Sequence, residues 1–346
     1  MTTGLFVYCV QSVLTVSSWA RMSKRRFFVW SNRDNGRVKK SVYIYSPSGA
    51  VRDKAAFRRG VRRLQALGYE VEVDSDALSS HMRFAGDDES RLRSISRACD
   101  SRADIALVSR GGYGITRILG QINYADVAKA IDLGTSFVGI SDFTAFQSAV
   151  FAKTGRITWA GPALCEGFGV PVTQDSQPDD IMEDCFNDLM LGQGEGAGWR
   201  QDRSGFCPPE DVQLASDSVV WGGNLCVLST LIGTEFLPSI DGGILFLEDI
   251  AEHPYRIERM LTQLLYSGVL SRQKAILLGQ FTGYQLGSHD KGFKFSTVIE
   301  WLRTRVNVPI LTNLPYGHVQ TKVLIPFGKK SDLAVSGRDA MLFWGH

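Results

Sequence analysis

Residues 136–146 read SFVGISDFTAF, a short apolar run followed by a sharp turn and then apolar residues at helical spacing. A strand that turns sharply into a helix holds the side chain at the turn, here Ser141, at the carboxyl edge of a sheet. This is the geometry of a nucleophile elbow, in which the helix N-terminus favours developing negative charge. The usual elbow has a second glycine two residues after the serine, where this chain has Phe143. The stretch alone therefore leaves Ser141 as either a nucleophile or a helix N-cap.

Strand and helix patterns alternate on both sides of this turn. The strand patterns of the first half lie at 42–45, 70–73, 105–108, 137–140 and 157–161. Such alternation predicts a parallel sheet with helices on both faces. We therefore expect an N-terminal α/β domain of flavodoxin-like architecture over residues 41–163, with the elbow inside it.

The composition changes after this domain. Residues 164–216 include a helix pattern at 180–191 and a low-complexity, glycine-rich run at 192–198, and we expect this range to be a linker able to act as a flexible lid. The end of the chain shows short strand patterns without helices between them. Residues 217–346 are therefore predicted to form a second domain, mixed and rich in β-strands.

The beginning of the chain differs from the rest. Residues 4–19 are moderately apolar, but basic residues follow this run instead of preceding it, which is the reverse of a secretory signal. We expect residues 1–40 to be an extension that is disordered or lies upstream of a true start at Met22. An amphipathic tail that touches a membrane is the alternative.

Composition argues against several classes of partner. The 346 residues are 44% hydrophobic with a formal net charge of +2, and no basic stripe is interleaved with aromatic residues, so we expect no nucleic-acid partner. No apolar run reaches the roughly 18 residues of a membrane helix, so no stable membrane insertion is expected. The six cysteines are scattered without a CxxC pair, which indicates reduced thiols in a cytoplasmic protein and no zinc site.

A glycine-rich loop, SRGGYG at residues 109–114, follows the strand pattern at 105–108. In a parallel sheet the site lies beyond the carboxyl ends of the strands, where both this loop and Ser141 are expected. The loop matches neither GxGxxG nor the phosphate-binding loop pattern. It suits a backbone that offers N–H groups to an oxyanion, and it equally suits a tight turn that merely needs glycine.

A serine nucleophile needs a base within hydrogen-bond reach, and the chain has five histidines. Four of them suit this role poorly, because His346 ends the chain, His81 and His289 lie in polar loops, and His253 precedes a helix. His318 remains, on a glycine-flanked loop just after a strand. A structural role for this lone histidine is the alternative.

The base in turn needs an orienting acid, and Glu248 and Asp249 end an apolar strand pattern. Because side chains alternate along a strand, only one of the two can face the site. A carboxylate at this position is costly unless it is hydrogen-bonded or paired, and orienting an imidazole would satisfy it. Alternatively, either residue forms a salt bridge with Arg256 or Arg259, or caps the following helix.

Several blocks together resemble the LD-carboxypeptidases, which are serine peptidases that trim murein peptides. The blocks are SRGGYG at 109–114, GISDFT at 139–144, WGGN at 221–224, LEDI at 247–250 with EHPY at 252–255, and YGH at 316–318. The resemblance runs from about Ser41 to the carboxyl terminus, with the blocks in the same order and at similar spacing. Five ordered blocks are far more specific than any one of them.

The resemblance implies a role for each matching residue. Ser141 is implied to be the nucleophile, His318 the general base and Glu248 the acid that orients it. The oxyanion hole is implied to consist of backbone N–H groups. Its donors are those of Asp142 and Gly112, with Gly111 less favoured.

The implied activity is removal of the terminal D-alanine from the murein tetrapeptide, at the bond that follows the L-centre of meso-diaminopimelate. No metal and no cofactor are implied, and a homodimer is expected. Exopeptidase action also requires a group that reads the free carboxylate of D-alanine, for which Arg110 and a backbone nest are both candidates. Two alternatives are a hydrolase of the same fold that cleaves peptidyl-nucleotide antibiotics, and a non-catalytic sensor of cell-wall peptides or nucleotides.

Overall fold

The computed structural model of the chain describes residues 8–9, 40–173, 176–203 and 205–345. The strands are β1 (Tyr8–Cys9), β2 (Ser41–Tyr45), β3 (Glu70–Val73), β4 (Ile105–Val108), β5 (Ser136–Gly139), β6 (Thr158–Ala160), β7 (Gly196–Arg200), β8 (Val212–Asn224), β9 (Ile244–Ile250), β10 (Ala275–Thr282), β11 (Ile310–Leu311), β12 (Ile325–Phe327), β13 (Lys330–Ser336) and β14 (Asp339–Phe343). The helices are α1 (Lys54–Ala66), α2 (Asp88–Asp100), α3 (Tyr124–Asp132), α4 (Phe143–Thr154), α5 (Asp180–Leu191), α6 (Leu225–Thr230), α7 (Pro254–Tyr266) and α8 (Phe295–Arg303).

The first sheet has six strands in the order β12-β6-β5-β4-β2-β3. Strands β2 to β6 are parallel to their neighbours, whereas β12 pairs antiparallel with β6 at one edge. Helices α1 to α4 alternate with these strands along the chain, as short buried apolar runs separated by amphipathic stretches predict. The predicted parallel sheet with flanking helices is confirmed, and its edge strand β12 comes from the C-terminal part of the chain.

The second sheet has eight strands in the order β1-β7-β14-β13-β8-β9-β10-β11. The neighbours from β8 to β11 are parallel, and those from β1 to β8 are antiparallel. The predicted second, mixed and β-rich part of the fold is therefore confirmed. Candidate site residues follow β4 and β5 in the first sheet, Glu248 lies near the carboxyl end of β9 in the second, and His318 follows β11.

Strand β7 lies inside the range 164–216 that the sequence predicts to be a linker. It is largely buried between β14 on one side and β1 on the other. A Cβ on Gly196 would lie 2.6 Å from the Leu342 carbonyl oxygen, so the close approach of two backbones requires glycine here. Because glycine is depleted in most strands, a glycine-rich run is typical of a loop, and the prediction differs from the structure at this strand.

The predicted extension over residues 1–40 falls almost entirely outside the described residues. Only Tyr8–Cys9, paired with Gly198 and Ala197 of β7, and Lys40 belong to the part that the structure describes. No helix in the described ranges combines the length and the apolar character needed to cross a membrane.

Candidate active site

Ser141 occupies the turn between β5 and α4. Its φ is +66°, a left-handed conformation that non-glycine residues rarely adopt and that accompanies a sharp strand-to-helix turn. Gly139 makes this turn possible, because a Cβ there would lie 2.6 Å from the Phe143 ring. Helix α4 has no side-chain cap hydrogen bond, so the interpretation of Ser141 as an N-cap is wrong. The hydroxyl is left available for chemistry.

The glycine-rich loop after β4 touches this serine. A Cβ on Gly111 would lie 2.6 Å from Ser141 Cβ and 3.0 Å from Ser141 Oγ, so the loop approaches this closely only with glycine. The Gly111 carbonyl accepts a hydrogen bond from the Gly49 N–H at 3.2 Å. The N–H groups of Gly111, Gly112 and Asp142 have no hydrogen-bond acceptor in the described part of the chain. Free N–H groups around a serine hydroxyl are the donors that an oxyanion requires.

The Asp142 carboxylate holds the elbow and the glycine-rich loop together. It is buried, and its Oδ2 accepts hydrogen bonds from the Ser48 hydroxyl at 2.5 Å and from the Ile115 N–H at 2.8 Å. Burial raises the pKa of Asp142. The buried guanidinium of Arg91 donates to the Gly114 carbonyl at 2.7 Å. The loop is therefore fixed by polar contacts on two sides.

On the second sheet, His318 and Glu248 form a hydrogen-bonded pair. Glu248 is fully buried in β9, and its Oε2 lies 2.8 Å from Nδ1 of His318. Because the carboxylate accepts the Nδ1 proton, Nε2 is the acceptor atom of the neutral imidazole. Gly317 has a φ of +139°, and a Cβ there would lie 2.9 Å from the Gln280 carbonyl oxygen. Glycine at this position therefore lets the loop bring the imidazole onto β9.

The basicity of His318 reflects two opposing effects. Burial by itself lowers the pKa of His318, but the hydrogen bond and the negative charge of Glu248 outweigh burial, so that this pKa is raised above its ordinary value. The side chain is 16% exposed, which leaves part of the ring accessible to solvent. A partly accessible imidazole with a buried carboxylate behind it is suited to general-base work.

Asn224, at the end of the WGGN block, is a site residue that sequence analysis does not identify. Its Nδ2 donates hydrogen bonds to Glu248 Oε1 at 3.2 Å and to Asp249 Oδ1 at 2.9 Å. Its Oδ1 accepts from the Val227 N–H at 3.0 Å, which determines that the NH₂ group faces the carboxylates. Asn224 thus satisfies the far oxygen of Glu248 and leaves the near one for His318.

The same asparagine connects the pair to the elbow. The Asn224 N–H donates to Thr144 Oγ1 at 3.0 Å, and Thr144 lies in the first turn of α4, directly after the elbow. A continuous run of hydrogen bonds therefore joins α4 to His318 through Asn224 and Glu248, across both sheets. The signal in the sequence is the pair of blocks GISDFT and WGGN, each a strand end with a polar side chain.

Asp249, the other acid candidate, makes no hydrogen bond to His318. Its two oxygens accept backbone N–H groups at the start of α6 and at the end of β9. Burial and then the charge of Glu248 raise the pKa of Asp249 to about 7. Neither carboxylate pairs with Arg256 or Arg259 in the described residues, so the predicted alternative of a salt bridge is wrong. Glu248 is the acid that the fold brings to the imidazole.

A metal site is not evident at this position. The described ranges contain no group of three or more His, Cys, Asp and Glu side chains that could hold a metal ion.

Comparisons with known proteins bear on the family of the chain. The family models of the LD-carboxypeptidase N-terminal and C-terminal domains match residues 42–161 and 217–333. A Synechocystis sp. protein that bears the name carboxypeptidase is 32% identical over 84% of this chain and 90% of its own length. The murein tetrapeptide carboxypeptidase of Pseudomonas aeruginosa is 26% identical over 84% of this chain and 92% of its own length.

Solved structures show the same architecture. The muramoyltetrapeptide carboxypeptidase of Oxalobacter formigenes superposes with a TM-score of 0.78 at 37% identity, covering 89% of this chain and 99% of that one. The microcin C7 self-immunity protein MccF, in complex with aspartyl sulfamoyl adenosine, superposes with a TM-score of 0.75 at 21% identity, covering 90% of this chain and 97% of its own. The second likeness concerns the fold alone.

Proposed function

The chain belongs to the LD-carboxypeptidase family, and from this premise we propose that it is a serine carboxypeptidase that releases the terminal D-alanine of murein tetrapeptides. The observation that carries the proposal is the 2.8 Å contact between Glu248 and His318, in a fold whose elbow presents Ser141. A carboxylate that orients an imidazole is the arrangement that makes a serine hydroxyl nucleophilic. The names of the relatives in Pseudomonas aeruginosa and Oxalobacter formigenes support a murein peptide as the substrate.

In the acylation step, Ser141 Oγ attacks the carbonyl carbon of the L-centre of diaminopimelate while His318 Nε2 accepts the hydroxyl proton. The carbonyl oxygen becomes an oxyanion, and the N–H groups of Gly112 and Asp142 stabilise it. Loss of one such donor typically costs about 2.7–4 kcal/mol of transition-state stabilisation. The C–N bond then breaks, and D-alanine leaves with the proton from His318. The product is an ester between Ser141 and the tripeptide.

In the deacylation step, a water molecule replaces D-alanine. His318 takes a proton from the water as its oxygen attacks the ester carbonyl, and the same N–H groups hold the second oxyanion. The ester C–O bond breaks, the proton returns to Ser141 Oγ, and the tripeptide leaves with a new carboxylate. General-base assistance of this kind contributes about 10²–10⁴-fold. Throughout, Glu248 stays ionised and stabilises the imidazolium that forms in each half-reaction.

The test is incubation of the purified chain with the murein tetrapeptide, followed by mass spectrometry of the products. We expect equal amounts of tripeptide and D-alanine. A parallel incubation with an aminoacyl sulfamoyl adenylate tests the antibiotic-hydrolase alternative, because cleavage of that compound without release of D-alanine would favour it. Binding of the tetrapeptide without any cleavage would instead favour the sensor.

Gly111→Ala should reduce kcat/KM by about 10²–10³-fold, the effect of removing one oxyanion donor. The added Cβ would lie 2.6 Å from Ser141 Cβ, so the loop must move away and take the Gly112 N–H with it. The measurement is steady-state release of D-alanine. Gly120→Ala is the matched control, because nothing lies within 4 Å of a Cβ there, and it should keep full activity. Full activity in Gly111→Ala would remove this loop from the oxyanion hole.

The pH profile of kcat/KM should show an acidic limb above pH 6.5, the ordinary pKa of histidine. His318 works as a base only when it is neutral, and Glu248 raises the pKa of His318, so protonation inactivates the enzyme at a higher pH than a free histidine would. Activity should therefore rise with pH through this raised pKa. The profile is measured with circular dichroism at each pH to show that the fold is intact. A limb below pH 6.5 would contradict the assigned base.

A further inference from the structure

Lys322 is a buried cation without a partner. It follows His318 in the same loop and is 3% exposed. In the described part of the chain its ammonium has neither a hydrogen bond nor an ion pair, whereas Arg110, Glu166, His318, Glu248 and Asp179 each have at least one. Lysine is rarely buried to this extent unless it is paired, because burial without a partner strongly disfavours its charge.

Lys322 lies in the loop that carries His318, and a hydrogen bond from the Val323 N–H to the Pro315 carbonyl at 2.8 Å closes this loop. Burial, the largest influence, lowers the pKa of Lys322, whereas the charges of Glu166, Glu248 and Asp179 act to raise it. In turn, the charge of Lys322 lowers the pKa of His318. The ammonium and the catalytic pair therefore belong to one group of interacting charges.

These neighbouring carboxylates have other donors. Both oxygens of Glu248 are engaged, by Asn224 and His318. Asp179 accepts hydrogen bonds from the Thr321 hydroxyl at 2.6 Å and from the N-terminal turn of α5. The structure therefore leaves the ammonium without an anion of its own.

Glu166 and Arg110 complete the charged surroundings. Glu166 Oε1 lies 3.6 Å from Arg110 Nε. Arg110 Nη1 donates to the Ala50 carbonyl at 3.3 Å, and its guanidinium packs over Gly49 and Gly112. Of the two cations near the site, Arg110 is thus already held by protein groups, whereas Lys322 is not.

We propose that Lys322 binds the free carboxylate of the residue that the enzyme releases. The proposal rests on the proposed function and adds the group that makes the enzyme an exopeptidase. His318 must hand its proton to the scissile nitrogen, so that nitrogen lies next to the imidazole in the reacting complex. The terminal carboxylate is separated from this nitrogen by a single carbon atom, so a cation beside the imidazole is within its reach. The side-chain carboxylate of diaminopimelate lies on the acyl side, farther from the imidazole.

This assignment has a consequence for specificity. A substrate whose terminus is an amide, or continues as a longer peptide, brings no charge to the ammonium and leaves it buried and unpaired. Breaking a buried ion pair by removing one partner is strongly unfavourable, and we expect the wild-type enzyme to prefer the free acid by about 10²–10³-fold in kcat/KM.

The test compares the tetrapeptide acid with its C-terminal carboxamide, using the wild type, Lys322→Met and the control Lys330→Met. Methionine has nearly the volume of lysine without the charge, and Lys330 is an exposed residue paired with Asp217. In Lys322→Met, kcat/KM for the acid should fall to about the value for the carboxamide. The kcat/KM for the carboxamide should hardly differ between this variant and the wild type. Lys330→Met should keep the wild-type preference. The acidic limb of the pH profile should also move to higher pH in Lys322→Met, because Lys322 lowers the pKa of His318.

Two outcomes would overturn the proposal. One is a wild-type enzyme that cleaves acid and carboxamide equally well. The other is an equal fall for both substrates in Lys322→Met with an unchanged acidic limb, which would indicate a structural role. Lys322→Gln is measured in parallel, so that a folding defect of one variant does not decide the result.

A third peptide, with L-lysine in place of diaminopimelate, lacks the side-chain carboxylate. Lys322→Met could lose the wild-type preference for diaminopimelate over L-lysine and still prefer the acid to the carboxamide. That result would show that Lys322 binds the side-chain carboxylate of diaminopimelate, and it would refute the assignment. If the wild type releases no D-alanine at all, the proposed function is wrong. Calorimetry then tests the carboxylate subsite independently, by comparing the affinity of Ser141→Ala for the acid with its affinity for the carboxamide. Equal affinity in that experiment would refute it.

Discussion

Ser141→Ala should reduce release of D-alanine by about 10⁶-fold while the protein remains folded. The substitution removes the only atom that forms the acyl-enzyme, so water must attack the peptide directly. The left-handed backbone at this position costs alanine about as much as it costs serine, so the melting temperature should change little. Steady-state kinetics and thermal unfolding are the two measurements.

Ser148→Ala is the matched control for this variant. Ser148 lies in α4, the helix that follows Ser141, and its buried hydroxyl has no hydrogen-bond partner among the described residues. It should keep wild-type turnover. A fluorophosphonate probe should label the wild type and Ser148→Ala but not Ser141→Ala. Turnover or labelling that persists in Ser141→Ala would remove this serine from its assigned role, and an unlabelled, inactive wild type would favour the sensor.

The elbow and the parallel sheet can be predicted from the sequence because their determinants are local. Strands β4 and β5 are short, mostly apolar and buried runs; Ser109 directly follows β4, and Gly139 ends β5. The αL conformation of Ser141 and the glycine before it belong to one continuous stretch. Such features follow from hydrophobic periodicity and turn chemistry, without knowledge of what lies opposite.

The polar contacts behind the site cannot be predicted in this way, because they depend on register. Asn224 reaches Glu248 since β8 and β9 pair in parallel with these two residues opposite each other. A shift of one residue would turn either side chain to the other face. The contact of Asn224 with Thr144 additionally requires the second sheet to pack on α4. Composition and spacing carry no information on either alignment.

Lys322 illustrates the same limit for charge. A lysine predicts an exposed side chain, and only the fold buries Lys322 to 3% exposure. Strand β7 is the opposite case, because a glycine-rich run that predicts a loop is fixed by partners on both sides. In both cases tertiary contacts override the local preference.

Glu248→Gln should reduce kcat/KM by about 10⁴-fold with little change in KM. Glutamine has the same shape as glutamate, so the position of the imidazole should be kept. The charge that stabilises the imidazolium is lost, and the proton of the neutral imidazole changes place. Kinetics of D-alanine release, together with the pH profile, measure the effect.

The contacts of Asn224 determine the orientation of this glutamine. Because the Val227 N–H fixes the Asn224 Oδ1, the Nδ2 of Asn224 must find an acceptor at the position of Oε1. The glutamine oxygen therefore faces Asn224, and its NH₂ group faces Nδ1 of His318. That nitrogen must then be unprotonated, so the proton sits on Nε2, which can no longer accept the proton of Ser141.

A double variant separates the loss of charge from the loss of the correct tautomer. In Glu248→Gln combined with Asn224→Asp, the new carboxylate accepts the glutamine NH₂, so the amide oxygen can turn towards Nδ1 and restore the reactive tautomer. The double variant should recover part of the activity lost in Glu248→Gln. Asn224→Asp alone should be impaired, because it places a third carboxylate beside Glu248 and Asp249. Glu252→Gln, a partly exposed carboxylate that pairs with Arg256 at 3.7 Å, is the control and should be fully active. An active Glu248→Gln enzyme would show that His318 needs no orienting acid, and the assigned base would then have to work alone.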